Sequence, residues 1–81
     1  MTTYYFDFRS GDTLLLDQEG TELNNIEEAH GEAINSLASA ITDYALAEGA
    51  ANQRLKVEVR DEFGQVLEIE ALLSSRILRK E

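Results

Sequence analysis

The segment Asp17-Gln18-Glu19-Gly20-Thr21-Glu22-Leu23-Asn24-Asn25-Ile26-Glu27-Glu28 constrains the fold more than any other stretch of this chain. It ends one extended run, turns on a glycine and opens a helix. Asn24 with Glu27, and Asn25 with Glu28, both fit the Asn-x-x-Glu spacing in which two side chains satisfy the free amides of a helix start. The helix is expected over 25–48. Ile26, Ala33, Leu37, Ala40, Ile41 and Tyr44 form its buried stripe, with Ala29 flanking it, and Glu48-Gly49 is its natural end.

Both flanks of this helix alternate. In 3–9, Tyr4, Phe6 and Phe8 share one side while Tyr5, Asp7 and Arg9 share the other. Period two with aromatic residues is a strand signal. Ser10-Gly11-Asp12 turns the chain into a short strand, 13–16, with Leu14 and Leu16 on one face and Leu15 on the other. After the helix, 54–60 places Leu55, Val57 and Val59 inward, and 66–71 places Leu67, Ile69 and Ala71 inward. Lys56, Glu58, Arg60, Glu68 and Glu70 face water, and acid–base pairs across the two strands are expected there. Leu73, Ile77 and Leu78 follow at helical spacing, which predicts a short helix over 73–79. The order is ββαββ. The expected fold is a single α+β domain, a four-stranded, largely antiparallel sheet with one long helix on one face.

An 81-residue chain buries only about 60% of its unfolded surface, so the core is thin and a homodimer is one way to enlarge it. Without cysteine there are no disulfides, no thiol chemistry and no cysteine-bound zinc. Residues 1–48 carry ten acids against Arg9 alone, whereas 49–81 carry six of each sign. This balance repels a phosphate backbone, so no nucleic acid is expected, and it accommodates a basic protein partner. No apolar run is long enough to span a bilayer, and Met1-Thr2-Thr3-Tyr4 does not read as a signal peptide; the expected location is cytoplasmic.

The chemistry-bearing residues have ordinary structural explanations. His30, the only histidine, is expected to be a partly buried structural residue touching the sheet, rather than a base or metal ligand. Asp12, Asp17, Glu19 and Glu22 do not follow the calcium-loop spacing; turns, capping and solubility account for them. No serine sits in a nucleophile elbow, and the glycines do not form a phosphate-cradling loop. The sequence therefore predicts no catalytic, cofactor or metal site. What it offers is an interaction surface: Tyr5, Leu15, Val66 and Leu72 as an apolar island on the far side of the sheet, continued by Leu73, Ile77 and Leu78, which are too apolar to hang free.

Three segments, Tyr4-Tyr5-Phe6-Asp7-Phe8-Arg9, Asp17-Gln18-Glu19-Gly20-Thr21-Glu22-Leu23 and Val57-Glu58-Val59-Arg60-Asp61-Glu62-Phe63-Gly64-Gln65-Val66, together resemble a family of small uncharacterised bacterial proteins common in rhizobia and related alphaproteobacteria. The resemblance covers about residues 4–70. It implies the ββαββ order and transfers no activity. The chain departs from the family at Asn24, where a proline is common, and at Ala71-Leu72-Leu73, which lacks a frequent Pro-Phe. The Asp-x-Glu-Gly turn is also similar, more loosely, to small α+β antitoxins, in which an acidic domain neutralises a basic RNA-cleaving toxin. The functional expectation is a non-enzymatic structural or protein-interaction domain. The alternatives are an antitoxin-like acidic inhibitor of a basic nuclease and a small metal-dependent hydrolase built on His30 and nearby acids.

Overall fold

The computed structural model describes residues 1–48 and 53–79. Strand β1 (Thr2–Ser10) is followed by β2 (Thr13–Leu15), β3 (Thr21–Leu23), helix α1 (Ile26–Glu48), β4 (Gln53–Asp61) and β5 (Gly64–Leu73). The sheet order is β2-β1-β4-β5, antiparallel throughout, and β3 also pairs with β1. The α+β class, the four-strand path and the single long helix packed on the sheet are as the alternation and helical periodicity require. The expected glycine cap at Gly49 lies outside the described residues.

One strand was not legible. Thr21–Leu23 pairs with Thr2–Tyr4, while Thr13–Leu15 pairs with Phe8–Ser10. Thus β2 and β3 are two pieces of one interrupted strand, with residues 16–20 set against 5–7 of β1. Helix α1 then carries the chain back to β4.

The core lies between α1 and one sheet face. Tyr4, Leu55, Val57 and Val59 are buried against Ala29, Ala33 and Leu37, with Phe6, Phe8, Ile41, Tyr44, Leu67 and Ile69 packed around them. Ala29 and Ala33 have no exposed surface, because only a small side chain lets the helix backbone sit this close to the sheet. The Phe8 and Tyr44 rings meet at 5.3 Å in a tilted pair, closing the far end. At the helix start, the Asn25 side chain accepts from the Glu28 amide at 2.9 Å, and the Glu28 carboxylate accepts from the Asn24 amide at 2.8 Å. Asn25 is therefore the cap.

Several expectations need correction. The buried line of α1 runs Ala29–Ala33–Leu37; Ile26, at the open end of the helix, is 43% exposed. His30 is exposed and is not among the core residues; it lies on the same arc of the helix as Leu37 and Ile41, but in the first turns that arc is not covered. Leu15 lies on the helix side of the sheet, opposite Phe8, and Leu14 lies opposite Arg9. The two-residue connection between Ser10 and Thr13 fixes that register, and a shift of one residue exchanges the faces of a strand. Val66 packs against the core. It is the extra residue of a bulge, where Val59 faces Leu67 and Arg60 faces Gln65, so the simple alternation breaks there. No helix forms over 73–79: β5 runs on to Leu73, and 74–79 has no regular structure.

Candidate interaction surface

The sheet face away from α1 carries two arrangements of side chains. The first is a polar node at the strand interruption. Asp7 alternates with Phe6 and Phe8 and so points to this face, yet it is only 5% exposed. Its carboxylate accepts from Arg60 Nε at 2.8 Å and from the Asp17 amide at 2.9 Å. Arg60 Nη2 donates to the Asp17 carbonyl at 2.9 Å, and the guanidinium stands 4.4 Å from the centre of the Tyr5 ring. The Asp17 side chain turns the other way. It accepts from the Phe6 amide at 3.1 Å, the Glu19 amide at 3.1 Å and the Gly20 amide at 3.2 Å.

Interrupting a strand strips its neighbour of backbone partners, and an unpaired amide is costly when it loses water. Here a side-chain carboxylate receives the Phe6 amide and the two amides of its own turn. Partial burial by itself pushes the Asp17 carboxyl up. The donations from Phe6, Gly20 and Glu19, together with the charge of Arg60, outweigh that effect and hold the group below its ordinary 3.8. The hydrogen bond to Asp7 leads in raising the Arg60 guanidinium above its ordinary value; desolvation opposes it, and the Asp7, Tyr5 and Asp17 charges add to it. Gly20 completes the node at φ +74°. A Cβ there would stand 2.6 Å from Thr3 Cγ2 and 2.9 Å from Tyr5 Cε2. This arrangement can hold the chain together. Its acidic oxygens are already occupied by donors within the protein.

The second arrangement is a lattice of ion pairs. Three directly opposed pairs here carry like charge, Asp7 with Glu58, Arg9 with Lys56 and Glu58 with Glu68, while Lys56 faces Glu70. The compensation runs along the diagonals, where long side chains reach: Arg9 to Glu58 at 3.4 Å, Lys56 to Glu68 at 3.5 Å, and Arg60 to Asp7 at 2.8 Å. Arg54 and Lys56 also approach Glu70, at 3.8 and 4.0 Å. Arg9, Gly11, Arg54, Lys56 and Glu70 line a shallow hollow of about 230 Å³.

The expected apolar island is dispersed. Tyr5 is taken up in the node, between Gly20 and Arg60. Leu15 and Val66 belong to the helix side, as described above. Leu72 remains on the open face opposite Arg54, 66% exposed, and Leu73 is half-buried on the helix side opposite Gln53. Ile77 and Leu78 follow at 84% exposure each. Leu72, Leu73, Ile77 and Leu78 thus lie at the end of β5 and in the segment that follows it. β5 ends the sheet, and only β4 pairs with it among the described residues. Phe63, 89% exposed, caps the hairpin at its other end.

The outer face of α1 is acidic: Glu27, Glu28, Glu32 and Asp43 are exposed, and the helix contains no lysine or arginine. Among the described residues no group of three or more His, Asp or Glu side chains could hold a metal ion, and His30 does not line the hollow beside Arg54 and Glu70. No helix of the described residues is long and apolar enough to cross a membrane. The Asp7–Arg60–Asp17 node escaped sequence reasoning. Its signal was a lone acid between Phe6 and Phe8, in a strand whose far face otherwise looked like ordinary surface.

With this geometry in hand, comparison with known proteins adds one finding. The model of a family described as a domain of unknown function (DUF6894) matches residues 3–72. The curated proteins and the solved structures gave no match.

Proposed function

The chain belongs to the DUF6894 family, and from that premise we propose that it is a non-enzymatic domain that works by binding protein. The observation that carries this reading is the free edge of β5. It runs ten residues and leads into a segment whose Ile77 and Leu78 stand in water. Natural sheets shield long edges because a row of unpaired amides and carbonyls invites another strand. The other border of this sheet is shielded: β2 and β3 are three residues each and are separated by the Asp17 turn. β5 has no such break beyond Val66. The bacterial, rhizobial-type origin implied by the resemblance, and a cytoplasmic location, belong to the same proposal.

A second reading, an acidic inhibitor of a basic nuclease, draws support from the exposed glutamates of α1. The two readings use different surfaces and separate in one experiment. A photo-reactive residue is placed at Ile77 or at Glu32 in the full chain, which is then expressed in its source cells. The first reading expects protein adducts from position 77 and few from 32. Adducts from position 32 alone, on a basic protein, select the second reading and overturn the first. No protein adduct from either position overturns both.

A further inference from the structure

The occupant of the β5 edge can be named from the pattern of side chains along it. Fifteen extended steps of about 3.3 Å each span about 50 Å. That is the distance available from Gly64 to Arg79, and the molecule is 54 Å long by 22 by 17 Å. Residues 74–79 therefore carry on along the line of β5, beyond Gln53–Leu73, the last strand pair among the described residues. The segment reaches away from its own core and cannot cover its own edge.

We propose that this arm pairs with the β5 edge of a second copy of the chain, and the second copy's arm with the β5 of the first, about a two-fold axis at Leu72. The inference rests on the protein-binding reading above and specifies the partner. Antiparallel pairing about a two-fold sets residue i against a residue of the same face in the partner, so the available registers are few. An axis at Ile69 sets Glu68 against the partner's Glu70, and the reverse, which repels. An axis at Glu70 opposes the two Glu70 side chains. An axis at Ala71 gives Glu68 no basic partner and leaves Ile77 across from Gln65. An axis at Leu73 sets Glu70 against the partner's Arg76, but Glu68 against Leu78 and Leu67 against Arg79.

An axis at Leu72 removes these conflicts. Glu68 meets the partner's Arg76 on the open face, Leu67 meets the partner's Ile77 on the helix side, Ala71 meets the partner's Leu73, and the two Leu72 side chains meet each other. In the single copy Arg76 forms no ion pair among the described residues, and Glu68 keeps about half its side chain in water beside Lys56. Pairing converts an exposed acid, an exposed base and two exposed aliphatic side chains into contacts, each made twice by symmetry. The two sheets become one continuous sheet with its long edges covered.

The test uses the full chain at tens of micromolar, by sedimentation equilibrium, with circular dichroism as the check on folding. The wild type is expected to be dimeric. Arg76→Glu and Glu68→Arg each set like charges across the edge, and each raises the dimer Kd at least about tenfold. The double variant, Glu68→Arg with Arg76→Glu, restores it. Rescue by Glu70→Arg with Arg76→Glu instead overturns the Leu72 register. Because the chain has no cysteine, Leu72→Cys adds an independent reading: residues facing themselves across a two-fold lie within disulfide reach, so it cross-links under mild oxidation, whereas Glu70→Cys, about 13 Å from its counterpart, does not. A wild type monomeric at several hundred micromolar, or a dimer indifferent to Arg76→Glu, overturns the proposal. Protein adducts at position 77 from a monomeric chain then leave the broader reading standing with a different partner.

Discussion

Replacing Gly20 with alanine should be the most damaging single-methyl change in the chain. The backbone there lies at φ +74°, and holding a non-glycine residue in the left-handed region costs about 1–2 kcal/mol. The added methyl would stand 2.6 Å from Thr3 Cγ2 and 2.9 Å from Tyr5 Cε2. Carbon pairs settle at about 3.5–4.0 Å, so both side chains have to move. Thr3 is branched at Cβ and set in β1, and the Tyr5 ring is held against Arg60, so neither moves freely. Overpacking of this kind adds about 1–3 kcal/mol. The total is about 2–5 kcal/mol, against an expected stability of about 4–12 kcal/mol for a domain of this size.

Two further glycines calibrate the argument. Gly11 has φ +58° with nothing within 4 Å of an added methyl, so Gly11→Ala should carry only the backbone cost, about 1–2 kcal/mol. Gly31 is in α1 with the same open space, so Gly31→Ala should stabilise by about 1 kcal/mol. Urea unfolding of the three variants measures the series. A Gly20→Ala variant that loses no more stability than Gly11→Ala would show that the Thr3 and Tyr5 contacts carry no cost.

Other outcomes follow from the same contacts. Asp17→Ala leaves the Phe6, Glu19 and Gly20 amides without their acceptor and should cost about 1–3 kcal/mol in urea unfolding, whereas Asp12→Ala, at an exposed turn, should change stability by less than about 0.5 kcal/mol. The lowered Asp17 pKa means that the unfolded chain takes up this proton at a higher pH than the folded chain. The stabilisation is therefore complete above 3.8 and is lost as the pH falls through the lower folded value; an acid titration of stability that is steeper below pH 3.8 in the wild type than in Asp17→Asn checks the sign. Asn25→Ala removes the helix cap and should cost about 1 kcal/mol, while Asn24→Ala, which leaves the backbone amide to Glu28, should cost less.

The pattern of success in reading the sequence is physical. Tyr4, Phe6 and Phe8, and Leu55, Val57 and Val59, alternate without interruption over strands of nine residues, so their faces could be read directly. The Asn-x-x-Glu spacing located the helix start to within one residue. Thr21–Leu23 is too short to show alternation, and it is a strand only because the Asp17 turn delivers it back to β1. Leu15 and Val66 were misplaced because parity depends on turn length and on a bulge, both of which are settled by pairing. His30 and Ile26 fall within an apolar arc, but at the end of α1 that arc is not covered. Leu73, Ile77 and Leu78 fit a helix and an extended arm equally well by spacing; the continuation of β5 decides between them. The Asp7–Arg60 contact joins residues 53 positions apart, and no local pattern announces it.

The Asp-x-Glu-Gly segment acts as structure, with a side chain replacing the strand that β1 lacks. Residue-resolved amide hydrogen exchange tests this most directly at Phe6, whose amide donates to the Asp17 carboxylate. In the wild type the Phe6 amide should be protected to the level of its β1 neighbours, and in Asp17→Ala that protection should collapse while β4 stays protected. A Phe6 amide that exchanges as fast as the exposed Gly11–Asp12 turn in the wild type, or that keeps its protection without Asp17, would contradict the account.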